Sequence, residues 1–278
     1  MSISPAFFRS SGRGENIVCL HSSLASSRQW SGLMEKLQDS YRITAVDLYG
    51  YGDSPSWGEI QSFTLNDEVD LLAPVLESLT GPIHLVGHSY GAAVALKVAQ
   101  RYRHRIASLT LYEPVAFTAL FAAADTQSVA HAMLRFKNEL LQDVQYGRTE
   151  IASRKFIDYW SGVGAWEKLC DRQQESVMAK IDNVIINFEA LFAEKNTLSS
   201  LAELDIPTLS LCGEHSPGST RAISRLLSET LPEVTLKEMT GMGHLGPITH
   251  GERINDQIEH FIRNHGVFVD TPESRVAA

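Results

Sequence analysis

The sequence predicts a mostly parallel, doubly wound α/β sheet with a helical segment inserted into it. Three observations point there. Short β-branched apolar runs alternate with segments of helical period, the alternation stops between Val115 and about Ser200, and a glycine-flanked serine stands between a strand and a helix.

In chain order, the strand candidates are 17–20, 42–46, 83–86, 109–112, 208–211 and 235–239. Probable helices lie between them at 30–38, 66–79, 90–101, 220–231 and 254–264. Pro82 and Pro207 mark the entry to two strands, where a missing backbone donor is tolerable. From Val115 to about Ser200 only amphipathic helical stretches occur, rich in Phe117, Phe121, Phe136, Phe156, Tyr159, Trp160, Trp166, Phe188 and Phe192. That pattern divides the chain into a core of 1–114 and 201–278 and a helical cap of 115–200. Any one of these rings also serves as ordinary packing within the cap. The tail from Asp270 is polar and expected to fray.

A chain of 278 residues with 44% hydrophobic and 21% charged residues supports one large core. Its net charge of −9 disfavours nucleic acid and anionic lipid, which leaves a small molecule as the expected partner. No apolar stretch approaches the roughly 20 residues of a spanning helix, and the N-terminal residues lack the features of a secretory signal. The expected location is therefore cytoplasmic, away from membranes. Oligomeric state stays open. Cys19, Cys170 and Cys212 are odd in number, and two lie in or beside apolar strands, so structural roles are expected. The histidines form no ligand-spaced pair or His/Cys cluster, so neither a metal nor a cofactor is expected.

The chemistry centres on "HLVGHSYGAAVAL", residues 84–96, in which Gly87-His88-Ser89-Tyr90-Gly91 fits G-x-S-x-G. That pattern arises by chance too easily to decide whether Ser89 is a nucleophile or an ordinary helix opener. A strand before it and a helix after it supply the context of a nucleophile elbow, in which the glycines permit a sharp turn. A serine hydroxyl also needs a base, usually a histidine oriented by a carboxylate.

At this point the chain resembles the α/β-hydrolase family. "VCLHSSLASSRQW" is similar to the family's strand and H-G-x turn, "DLYGYGDSP" to its D-x-x-G-x-G-x-S loop, and "MTGMGHLGPITH" to its terminal G-H segment. The family order of serine, acid, histidine implies Ser89 as nucleophile and His244 as base, with His88 and His21 in structural roles. Where the family most often has G-x-x-D, this chain reads Gly213-Glu214-His215-Ser216, and a serine cannot hold an imidazolium by charge. The acid is then Glu113, at the end of "LTLYEP", or Glu214. Glu113 is favoured, because some family members carry their acid at that earlier strand end.

A developing oxyanion calls for two backbone donors. One is the N–H of Tyr90 at the positive end of its helix. By resemblance the other is that of Ser23, with Leu24 as fallback; Ser22 replaces the family's glycine there. Asp47, Gly50, Gly52 and Ser54 are read as loop framework.

The implied activity is a serine hydrolase working through an acyl-Ser89 intermediate. Its substrate would be a small, mainly apolar ester, thioester, lactone or activated C–C bond. A serine argues against the relatives that attack through aspartate. The alternatives are a non-catalytic small-molecule-binding or receptor-like member of the fold, kept open by the missing aspartate, and a cofactor-free perhydrolase or acyltransferase.

Overall fold

The computed structural model describes residues 5–57, 63–195 and 197–266. Seven strands form one sheet: β1 (Phe8–Gly12), β2 (Glu15–Leu20), β3 (Tyr41–Val46), β4 (Ile83–His88), β5 (Ile106–Tyr112), β6 (Thr208–Gly213) and β7 (Val234–Met239). Their spatial order is β1-β3-β2-β4-β5-β6-β7, with β1 antiparallel to β3 and every other pairing parallel. All six expected strands are present, several extended by a few residues. β1 is additional. Its FRSSG sequence is polar and it lies on the sheet edge with alternate residues exposed, so no apolar run announces it.

The helices outside the β5–β6 connection are α1 (Ser31–Leu37), α2 (Leu65–Ser78), α3 (Tyr90–Arg101), α9 (Gly218–Thr230), α10 (Gly246–Thr249) and α11 (Gly251–His265). The helix expected from Trp30 opens one turn earlier, as a 3₁₀ segment over Ser27–Trp30 that runs into α1.

Alternation along the strands builds two cores. Val18 and Leu20 of β2 face a core shared with α2, α3 and α9, while Ile17 and Cys19 face a second core filled by Trp30, Leu33, Ile258 and Ile262 from the α1 and α11 side. Buried in these cores are Cys19 and Cys212, whereas Cys170 is exposed. Burial pushes the Cys212 thiol up to about 12, so it is no nucleophile at neutral pH.

Between β5 and β6 the described residues are helical: two short 3₁₀ turns, then α4 (Gln127–Gln145), α5 (Thr149–Ser161), α6 (Asp171–Met178), α7 (Ile181–Ala193) and α8 (Thr197–Leu201). This insertion has no separate core. Phe117, Phe156, Trp160, Ile185 and Phe188 join the same apolar cluster as Leu20, Leu85 and Ala93 of the sheet layer. Its helices are therefore anchored by burial against the sheet rather than carried as an independent body. Among the described residues no helix is long and apolar enough to cross a membrane. The tail from Asp270, expected to fray, lies outside the described residues.

Candidate active site

In an open parallel sheet the loops after the strand C-termini gather at one end, where the crevice lies. Here the loops after β2, β4, β5, β6 and β7 carry Ser23, Ser89, Glu113, Ser216 and His244 to that end.

Ser89 joins β4 directly to α3 and takes φ 55° and ψ −114°, angles that non-glycine residues avoid. The turn is enforced by close packing. A Cβ on Gly91 would stand 2.4 Å from the carbonyl oxygens of Leu20 and His21, and one on Gly87 would stand 2.6 Å from the Ala92 Cα. Only three non-glycine residues among those described have positive φ: Leu24, Ser89 and Glu113. All three stand in this one site.

The Ser89 Oγ lies 2.9 Å from His244 Nε2, and His244 Nδ1 lies 2.7 Å from Glu113 Oε2. Because a carboxylate only accepts, Nδ1 carries the proton and the Nε2 lone pair faces the serine hydroxyl. Glu113 is fully buried. Its Oε1 accepts the Gly213 N–H at 2.7 Å and the Ser216 hydroxyl. Burial by itself would raise this carboxyl, but hydrogen bonds from His244, Ser216 and Gly213 outweigh it and hold Glu113 below the usual carboxylate range. Ser216, where the family usually has aspartate, thus supports the carboxylate that reaches across from β5. Glu214 is turned elsewhere, accepting the Gly241 N–H at 2.8 Å.

Behind the imidazole a second relay holds the loops together. His88 donates from Nε2 to the His244 carbonyl at 2.8 Å and accepts from Gln29 Nε2 at 3.1 Å. Gln29 Oε1 in turn accepts both the N–H and the hydroxyl of Ser22, each at 3.1 Å. The extra hydroxyl brought by Ser22 is therefore satisfied. Burial lowers His88 to about 3, which keeps it neutral and fixes this donor pattern. His21 is similarly buried and lowered to about 4, accepting the Leu48 N–H at 3.0 Å.

Among the described residues, the N–H groups of Ser23 and Tyr90 have no hydrogen-bond partner. Asp47 accepts the Ser27 and Asp53 N–H groups at 2.5 and 2.9 Å, and Ser54 donates to the Asp47 carbonyl at 2.6 Å, so both brace their loop.

Above Ser89 and His244 lies a cavity of about 360 Å³. Phe156, Ile157, Trp160, Leu169, Val177 and Ile248 make it mainly apolar, with Gln173 and Ser176 of α6 among its few polar groups and no charged side chain in its lining. Trp160 lies tilted against the His244 ring, with centroids 4.3 Å apart. Its aromaticity was visible in the sequence, but its place over the histidine was not, since no motif links the insertion to the terminal loop. No group of three His, Cys, Asp or Glu among the described residues is placed to hold a metal ion.

An apolar cavity over a hydrogen-bonded serine, histidine and carboxylate on the strand ends of such a sheet defines a class. The chain belongs to the α/β-hydrolase family, whose model matches residues 15–251, and it is a hydrolase. It is 28% identical over 275 residues to a pimeloyl-(acyl-carrier protein) methyl ester esterase of Methylococcus capsulatus, covering 92% of this chain and 98% of that protein. It is also 23% identical over 242 residues to a putative 2-succinyl-6-hydroxy-2,4-cyclohexadiene-1-carboxylate synthase of Bacillus subtilis, covering 83% of this chain and 84% of that one. A thermophilic esterase of Thermogutta terrifontis shares the fold with TM-score 0.70 at 22% identity, covering 94% of each chain.

Proposed function

We propose that this hydrolase is a serine esterase acting on a small, uncharged, mainly apolar ester, with residues 115–200 as the cap over its site. The observation that carries this reading is the unbroken chain from Ser89 Oγ through His244 to Glu113 at the floor of an apolar cavity.

Ser89 Oγ attacks the ester carbonyl while its proton passes to His244 Nε2. Glu113 stays ionised and stabilises the imidazolium so formed. The carbonyl oxygen gains negative charge and is met by the N–H groups of Ser23 and Tyr90, the latter at the N-terminus of α3, where the helix dipole also favours an anion. The intermediate collapses as His244 protonates the departing alcohol, leaving an acyl-Ser89 ester. A water then gives its proton to His244 and attacks that ester. The second collapse returns the proton to Ser89 and frees the acid.

The cavity narrows the substrate. The acid part or the alcohol part fills a pocket large enough for a small ligand. A carboxylate, as in the product named for the Bacillus subtilis relative, would meet neither Lys nor Arg in the lining and would be desolvated at a cost of several kcal/mol. A methyl ester, as in the Methylococcus capsulatus relative's name, carries no such charge at its reacting end.

Intact-protein mass after brief exposure to an organophosphonate probe tests the assignment. One adduct is expected on the wild type, none on Ser89→Ala, and a sharply slowed one on His244→Ala. An adduct that persists in Ser89→Ala would remove the nucleophile from this serine.

A further inference from the structure

The helical insertion contributes one polar side chain that grips the loop carrying the Ser23 donor. Asn187 on α7 is 2% exposed. Its Oδ1 accepts the Ser23 hydroxyl at 2.8 Å and the Tyr51 hydroxyl at 2.6 Å. The Tyr90 hydroxyl, close to the same amide, donates to Glu68 at 3.1 Å. The hydroxyls of Ser23 and Tyr51 thus share one buried amide oxygen.

The turn that this cluster grips needs holding. Leu24 sits at φ 65°, which a leucine avoids unless its surroundings impose it, and the glycine usual in this turn is Ser22 here. Gln29 fixes the turn from one side through Ser22. Asn187 fixes it from the other, through Ser23. One turn earlier on the same face of α7, Asn183 donates to the Gly50 carbonyl at 2.6 Å, so two asparagines four residues apart dock this helix onto the loops after β2 and β3.

We propose that Asn187 is a positioning residue for the oxyanion donors: it sets the spacing between the Ser23 and Tyr90 N–H groups, so that α7 governs how well the site holds the tetrahedral intermediate. Asn187 touches neither the substrate nor the reacting atoms. Its effect falls on the transition state, where the oxygen carries charge and donor placement matters most, and much less on ground-state binding. The inference rests on Ser89 being the acylated nucleophile.

The test compares an activated ester, 4-nitrophenyl butyrate, with its C=S thiono analogue, because sulfur accepts hydrogen bonds poorly and depends less on the donors. Asn187→Leu is expected to lower kcat on the oxoester by about 100-fold, the scale of losing one oxyanion donor, with KM nearly unchanged. The thionoester rate should fall far less, so the oxo-to-thiono ratio drops by about tenfold or more. Tyr51→Phe, which removes one of the two bonds to the same oxygen, should move that ratio in the same direction by a smaller factor. Equal losses on both substrates, or an unchanged ratio in folded variants, would assign Asn187 to packing alone. If Asn187→Leu does not fold, an unchanged ratio in both Tyr51→Phe and Ser23→Ala overturns the proposal equally. Phosphonate labelling of the wild type and Ser89→Ala separates the two levels. A label that survives Ser89→Ala sinks the nucleophile and this inference together, whereas a Ser89-dependent label with an unmoved ratio sinks only the role of Asn187.

Discussion

Glu113 and Glu68 are both sealed from solvent within two hydrogen bonds of the Ser89–Tyr90 turn, yet their surroundings hold them in opposite charge states. Glu113 receives the His244 ring, the Ser216 hydroxyl and the Gly213 N–H, and is held below the ordinary carboxylate range. Glu68 has only the Tyr90 hydroxyl at 3.1 Å and the Tyr49 N–H at 3.3 Å; burial dominates and pushes it up to about 8. Burial is common to both. What separates them is the number and strength of the donors, and this decides which one holds a charge beside an imidazole.

The comparison breaks most visibly at Glu113. Glu113→Gln keeps the shape but removes the charge, and on the proposed mechanism steady-state kinetics should show kcat down by about 10³- to 10⁴-fold, the scale of the equivalent change in serine triads. Glu214→Gln serves as the control and should leave kcat near wild type, since its carboxylate is spent on the Gly241 N–H. A large loss in Glu214→Gln alone would move the acid to the loop after β6.

Glu68 should show itself in stability rather than turnover. Its native pKa of about 8 lies above the unfolded value near 4.5, so between those pH values the unfolded chain has released a proton that the native state still holds. Stability therefore falls as pH rises through this window, by about 1.4 kcal/mol per pH unit. Denaturant melts of Glu68→Gln across the same range should lack that slope. A slope equal to wild type would mean that Glu68 is already ionised in the fold.

Ser216→Ala sharpens the comparison by moving the surroundings of Glu113 one donor closer to those of Glu68. Losing a hydrogen bond to a charged group should cost roughly 1.5–3 kcal/mol at neutral pH. Because Glu113 is depressed in the fold, its contribution is present above the unfolded pKa and disappears as pH falls through the folded one. The gap between variant and wild type in a pH series of melts should accordingly close on acidification. A gap that does not change with pH would indicate lost packing alone.

Much of this was legible in the sequence where chemistry and local backbone coincide. Gly87 and Gly91 flank Ser89 because the turn leaves no room for a Cβ, so a spacing pattern reports a steric fact. His244 follows from its place in a glycine-flanked loop after the last strand. Glu113 was preferred over Glu214 by resemblance, and the decisive partner, Ser216, looked only like a missing acid. Side chains that act across the fold left no such trace. Gln29, Trp160 and Asn187 lie 60, 71 and 98 positions from Ser89 in sequence, on elements whose local pattern reads as ordinary helix. β1 escaped for a different reason: an exposed edge strand has no apolar face to announce it.

The clustering of Leu24, Ser89 and Glu113, the three left-handed residues, sets a limit on how this protein can be improved. Each such residue costs on the order of 1–3 kcal/mol of local strain. On the proposed mechanism, relaxing any of them would make the chain more robust and the catalyst worse. The route to a tougher enzyme therefore runs through the far end of the sheet and the outer helices, where stability can be raised without unbending the turns that aim the hydroxyl, the carboxylate and the oxyanion loop.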